Sequence, residues 1–269
     1  MTEVAARLPG LVKLAGLSAQ VHYAYRVNLL LQLVGILVQI YLLKVVWTTV
    51  YAGRAEVDGV ALPVLISYLT LANLQLWLLE TEVGRVIHEK VREGTIALDL
   101  ARPVGLIGQL VWRQIGLTAA LVPFLAVALP AALVVGGLQL PASPEAGALY
   151  AVSLALGYGV SVVIAILLGL VVFWTFESHG VFAIYQFVNR FFAGALVPLW
   201  FFPDQLRSVA ELLPFQTQAY LPLSIYVGRA TGTDALRGIA VQAFWILALY
   251  LLTAALWRKA MRRVVVQGG

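Results

Sequence analysis

Long apolar stretches alternate with short polar ones along most of the chain. Six of them approach or exceed the roughly 20 residues that a helix needs to cross about 30 Å of hydrocarbon. They are Val27–Val50, interrupted only by Lys44; Val60–Leu79, without a charge; Gln114–Leu140, with bends expected at Pro123 and Pro130; a run within Gly147–Phe176; Gly180–Phe202, carrying Arg190; and Gly238–Trp257. A transmembrane β-barrel would instead show segments of about ten residues with alternating polarity. The pattern predicts an all-α integral membrane protein, a single transmembrane domain over 1–269 with six transmembrane helices.

Three polar or mixed segments complete the prediction. In 1–26 the leucines Leu8, Leu11, Leu14 and Leu17 recur on one helical face among Glu3, Arg7, Lys13 and Arg26. This predicts an amphipathic helix lying in the membrane interface; a leader that folds onto the rest of the domain is the plainer alternative. No compact apolar core precedes a small-residue cleavage site, so a secretory signal is not expected. The segment 203–236 contains a moderately apolar run, Leu212–Gly228, broken by Pro214 and Pro222 and by Gln216, Thr217 and Gln218. It predicts two short helical pieces that enter the outer leaflet and return, shielded by the spans. In the loop 80–104, Val83, Ile87 and Val91 share a helical face, with Glu82, Arg85, Glu89, Lys90, Arg92 and Glu93 around the remainder. Gly94 suits the end of that helix, and an alternating run, Thr95–Leu100, follows. A turn between spans needs only a few residues. This loop therefore serves as a docking surface for a cytoplasmic partner or lies as a surface helix at the headgroups.

Composition sharpens the class. Of 269 residues 61% are hydrophobic and 12% charged, about half the charge of a soluble globular chain. The net charge of +5 is topological in origin. With both termini cytoplasmic, the inner segments hold twelve cations: Arg7, Lys13, Arg26, Arg85, Lys90, Arg92, Arg102, Arg113, Arg258, Lys259, Arg262 and Arg263. The outer segments 51–59, 141–146 and 203–237 hold four, Arg54, Arg207, Arg229 and Arg237. Twelve against four follows the positive-inside rule, whereas counting Leu212–Gly228 as a seventh span would put Arg258–Arg263 outside. The absence of cysteine excludes disulfides and thiolate chemistry.

The run Glu89-Lys90-Val91-Arg92-Glu93-Gly94-Thr95-Ile96-Ala97-Leu98-Asp99-Leu100-Ala101-Arg102-Pro103-Val104 resembles a stretch of the ABC-2-type transporter permeases, in their six-span bacterial exporter branch. Tyr25-Arg26-Val27-Asn28, Phe202-Pro203-Asp204-Gln205-Leu206, Leu212-Leu213-Pro214-Phe215 and the C-terminal Gln267-Gly268-Gly269 resemble further stretches of that family, in order. Ala101 departs, standing where relatives often carry a larger apolar residue. The resemblance implies a permease subunit of an ATP-binding-cassette exporter in the bacterial inner membrane, with both termini cytoplasmic. It implies that the loop after the second span supplies a coupling helix, with Glu82, Arg85, Glu89, Arg92, Glu93 and Arg102 as candidates for contact with a separate ATPase. It also makes 1–26 the interfacial connecting helix, and a second permease copy or a homologous permease the expected partner.

The candidate chemistry agrees. No Gly-x-x-x-x-Gly-Lys-Ser/Thr loop occurs, so ATP and Mg belong to a partner chain. His88-Glu89-Lys90-Val91-Arg92 lacks the second histidine of a zinc peptidase motif, no Gly-x-Ser-x-Gly elbow is present, and Glu177-Ser178-His179 falls at a turn. Neither a metal site nor catalysis is expected of this chain. Arg190 within an apolar run needs protein or water around it. Gln186, Asn189 and Arg190 share a face at i, i+3 and i+4, so they line a translocation path or a dimer interface unless neighbouring carbonyls satisfy the arginine. An amphipathic, drug-like or lipid-like cargo, or a peptide, suits this exporter; a non-transporting membrane scaffold that recruits a cytoplasmic partner is the alternative.

Overall fold

The computed structural model describes residues 2–100, 104–175 and 179–267. The helices in chain order are α1 (Thr2–Ala24), α2 (Arg26–Tyr51), α3 (Leu62–Leu78), α4 (Val83–Arg92), α5 (Ile96–Leu100), α6 (Leu106–Ala131), α7 (Pro144–Thr175), α8 (His179–Phe192), α9 (Asp204–Leu212), α10 (Tyr220–Tyr226) and α11 (Gly232–Gln267). A two-residue hairpin, Glu56–Val57 against Val60–Ala61, leads into α3. Among the described residues five helical stretches are long and apolar enough to cross a membrane: Arg26–Tyr51, Leu62–Arg92, Leu106–Gly136, Pro144–Thr175 and Gly232–Arg262. The fold is that of an all-α membrane protein.

The expected continuous span over 180–202 is not formed. α8 ends at Phe192 after 14 residues, about 21 Å, short of the hydrocarbon thickness. Gly194 takes φ +74°, and a side chain there would meet Leu199 at 2.7 Å and the Tyr68 hydroxyl at 3.0 Å. Only glycine fits this left-handed turn, and Pro198 then keeps the chain from resuming the α-helix before a single 3-10 turn, Leu199–Phe201. The third apolar stretch also differs. α6 begins at Leu106, eight residues before the expected start, and after Pro130 it loosens into a π-helical turn, Ala132–Gly136.

The helices share two common ends. At one, the Glu56–Ala61 hairpin meets the segment before α7 and the segment after α10. The amide of Ala142 donates to the Tyr226 carbonyl, the Tyr226 hydroxyl donates to the Gln139 carbonyl, and Arg229 donates to the Gly59 carbonyl. At the other end, Val83, Val86 and Ile87 of α4, Ile96, and Leu106 and Leu110 of α6 bury against Leu170, Val172 and Phe173 of α7 and Ala260 of α11. α7 and α11 run the same way, with Ser153 against Gln242 and Gly159 against Ile246. The chain must therefore return from the α4 end to the hairpin end between them. α8 makes that return: Phe182 lies near Gly84, and the Gly194 carbonyl accepts from Tyr68.

α1 runs alongside α6 in the same direction, Ala15 against Gly116 and Tyr23 against Phe124. Its covered face is Leu11, Leu14, Ala15, Ser18, Ala19 and His22, while Leu8 and Leu17, expected on the apolar face, are exposed. Small residues set this choice, because Ala15 and Gly116 let the two backbones approach where leucines would hold them apart. Lys44 Nζ donates to the Val135 carbonyl within the π-helical turn.

Candidate functional site

The loop after α3 forms the amphipathic helix that its pattern predicts. Val83 and Ile87 are buried against α7 with Val86 beside them, and Val91 is half-buried. Arg85, Glu89, Arg92 and Glu93 point outward and Glu82 is half-buried. Arg102 lies outside the described residues. Gly94 takes φ +71° just past the end of α4, with its amide donating to the Val91 carbonyl. The alternating run after it is helical over Ile96–Leu100, and Lys90 forms an ion pair with the buried Asp99 that ties α5 back to α4. That pair had only a weak sequence signal, two opposite charges flanking a turn glycine. Leu98 stands exposed beside the charged face.

α4 is fixed to α7 by backbone proximity. A Cβ on Gly84 would lie 2.5 Å from the Ala165 carbonyl oxygen, and one on Gly169 would lie 2.9 Å from the Gly84 carbonyl oxygen. Glycine at both positions is a steric requirement of the crossing.

The second feature is a cavity of about 410 Å³ among α2, α3 and α8. Gln186, Asn189 and Arg190, predicted as one face, all line it. Opposite them stand Gln32 and Gln39 of α2, and Asn73, Trp77 and Glu80 at the end of α3. Gln32, Gly35, Ile36 and Gln39 fall at i, i+3, i+4 and i+7, and so do Asn73, Leu76, Trp77 and Glu80. Both faces were readable as amides and a carboxylate interrupting apolar runs at helical spacing. Trp77 Nε1 donates to Gln32 Oε1 at 3.3 Å, joining two walls. Asn189 is buried, and its Oδ1 has no hydrogen-bond partner among the described residues. Arg190 makes no ion pair among the described residues, nor does Glu80. A smaller cavity of about 130 Å³, lined by His22, Glu82, Arg85 and Gln114 among others, shares Gln32, Trp77 and Glu80 with the first.

The segment 213–219 closes one side of the larger cavity through Gln218, and side chains from three helices hold it. Gln75 of α3 donates to the Gln218 carbonyl at 2.6 Å and accepts from Tyr150. Ser161 of α7 donates to Gln218 Oε1 at 2.8 Å. Gln242 of α11 donates to the carbonyls of Thr217 and Ser153 and accepts from Ser153 Oγ. Non-helical backbone buried this deep needs such partners. Gln75 lies thirteen residues into α3, so the turn reaches roughly 20 Å from the start of that helix. The segment 203–236 holds two short helices, α9 and α10, joined by the 3-10 turn Pro214–Thr217.

Compared with known families, residues 33–268 match the family described as ABC-2 family transporter protein. The match runs from the first third of α2 past the end of α11 and takes in both the α4 surface and most of the cavity lining; the Tyr25–Asn28 motif precedes it. No curated protein matches the chain.

Proposed function

We propose, from the premise that the chain belongs to the ABC-2 transporter family, that it is the permease of an exporter whose cargo passes through the α2–α3–α8 cavity. Membership makes it the membrane-spanning kind of subunit in an ATP-binding-cassette transporter, a protein that works with an ABC ATPase. The further points are our own. The α4 end is cytoplasmic, both termini lie there, and the ATPase is a separate chain that docks on Arg85, Glu89, Arg92 and Glu93. The chain crosses the inner membrane six times, α8 with the turn after it being the fifth crossing. α1, packed along α6, is a leader folded onto the domain. The segment 203–236 re-enters from outside and caps the cavity.

One observation carries this proposal: three polar helix faces converge on an open cavity in the side of an otherwise apolar bundle, and Glu80 and Thr81 of its lining lead directly into α4. A movement imposed on α4 has only the 79–82 link to cross before it reaches the cavity wall. Ile184 and Phe187, beside the cavity residues of α8, are 68% and 70% exposed. A second permease, a copy or a homologue, covers this face and encloses the path. The cargo is amphipathic, since Ile36, Leu76, Leu79 and Leu196 share the lining with the amides.

The test is purification from the native membrane in a mild detergent, with identification of the co-purifying proteins. A stoichiometric soluble chain bearing a phosphate-binding loop is the expected result, and its recovery should fall when Glu89 and Arg92 are charge-reversed. Undiminished recovery with the doubly reversed protein would remove the docking assignment.

A further inference from the structure

The charged groups of the large cavity are few, opposite in sign and far apart. Six amide side chains line it, Gln32, Gln39, Asn73, Gln186, Asn189 and Gln218, against one carboxylate, Glu80, and one guanidinium, Arg190. Their spacing follows from the packing. Gln75 of α3 bonds to the Gln218 carbonyl, and the Tyr185 ring of α8 meets Phe215 of the same turn at a tilt, so Gln75 and Tyr185 lie near one level. The Tyr68–Gly194 bond shows that α8 runs opposite to α3. Glu80 is five residues beyond Gln75 toward the α4 end, and Arg190 is five residues beyond Tyr185 toward the hairpin end. At 1.5 Å per residue the backbones at the two positions are offset by roughly 12–15 Å along the bundle.

We infer that this cavity binds a short peptide-like cargo in extended form, its cationic end at Glu80 and its anionic end at Arg190. An extended chain rises about 3.3–3.6 Å per residue, so about four residues fill the offset. Side-chain amides offer both donor and acceptor, the complement of a backbone amide, whereas a cargo with one net charge would meet a repelling group at one end. The volume lies within the ordinary range of small-ligand sites. A compact zwitterion, with its charges a few ångströms apart, reaches only one of the two groups. The inference takes the cavity as the cargo path proposed above, but binding is measured on the permease without its motor, so either can fail alone.

The probe is the tetrapeptide Leu-Ala-Leu-Ala, titrated calorimetrically into the full chain in lipid nanodiscs, with empty nanodiscs as the blank. N-acetylation and C-amidation should each weaken binding about tenfold, and the dipeptide Leu-Ala should bind at least about tenfold more weakly. In Arg190→Gln the amidation penalty should vanish and the acetylation penalty persist; in Glu80→Gln the reverse should hold. Both variants are checked for monodisperse elution, and each carries its own internal control in the cap it does not affect. Absence of tetrapeptide binding to the unaltered chain, equal binding of the dipeptide, or cap penalties that ignore the two substitutions would each overturn the assignment.

Discussion

Arg190 lies two residues before the end of α8 at the cavity wall, and among the described residues no carboxylate answers it. Arg190→Ala removes a charged contact for cargo without unpairing a buried acid, so transport should fall about tenfold or more while assembly with the ATPase stays intact. Equal transport by the variant, at equal amount in the membrane, would place the pathway elsewhere. Gln75→Leu acts differently. It strips the Gln218 carbonyl of its donor and the Tyr150 hydroxyl of its acceptor inside the bundle, at a cost of about 1–3 kcal/mol. Hydrogen exchange should rise in 214–226 and stay unchanged in α4. At this scale the sequence was partly legible. Gln186, Asn189 and Arg190 announced themselves as one helical face. Gln75, Gln218 and Gln242 did not, because each is a single polar residue in its element, and their partners are brought close only by tertiary folding.

Among elements, α4 is the most fully anticipated. A repeating apolar face, a mixed-charge outer face and a terminal glycine are local signals, and the helix forms between the positions they mark. Its attachment was not legible, since Gly84 and Gly169 are ordinary glycines until α4 and α7 are laid across each other. Gly84→Ala inserts a methyl where only 2.5 Å separates it from a carbonyl oxygen, an overpacking cost of about 1–3 kcal/mol that shifts α4 off α7. The expected phenotype is uncoupling: the ATPase still binds and hydrolyses, but hydrolysis no longer responds to cargo. A variant that remains fully coupled would mean that α4 transmits its movement through the 79–82 link alone. α8 is the converse case. Its composition reads as a span, yet Gly194 and Pro198 stop it after 14 residues. The signal was present in those two residues, and the length of the surrounding apolar run hid it.

For the whole molecule the issue is how five long helices and one short one thread the membrane. Helices α7 and α11 run in the same direction, and the end of α11 buries against α4, so both sit at one end of the bundle. A chain that crossed only five times would place its two termini on opposite faces, and the twelve-to-four division of cations would lose its meaning. The chain contains no cysteine, which permits a direct test with single introduced thiols. Leu98 and Leu140 are highly exposed, at 71% and 83%, and Arg262 is exposed near the end of α11. A membrane-impermeant maleimide applied to intact cells should label Leu140→Cys. It should label Leu98→Cys and Arg262→Cys only after the membrane is opened. Labelling of Arg262→Cys in intact cells while Leu98→Cys stays protected would show an odd number of crossings. In that event α8 would not cross, the 203–236 segment would not re-enter from outside, and the cavity would have no wall facing the far side.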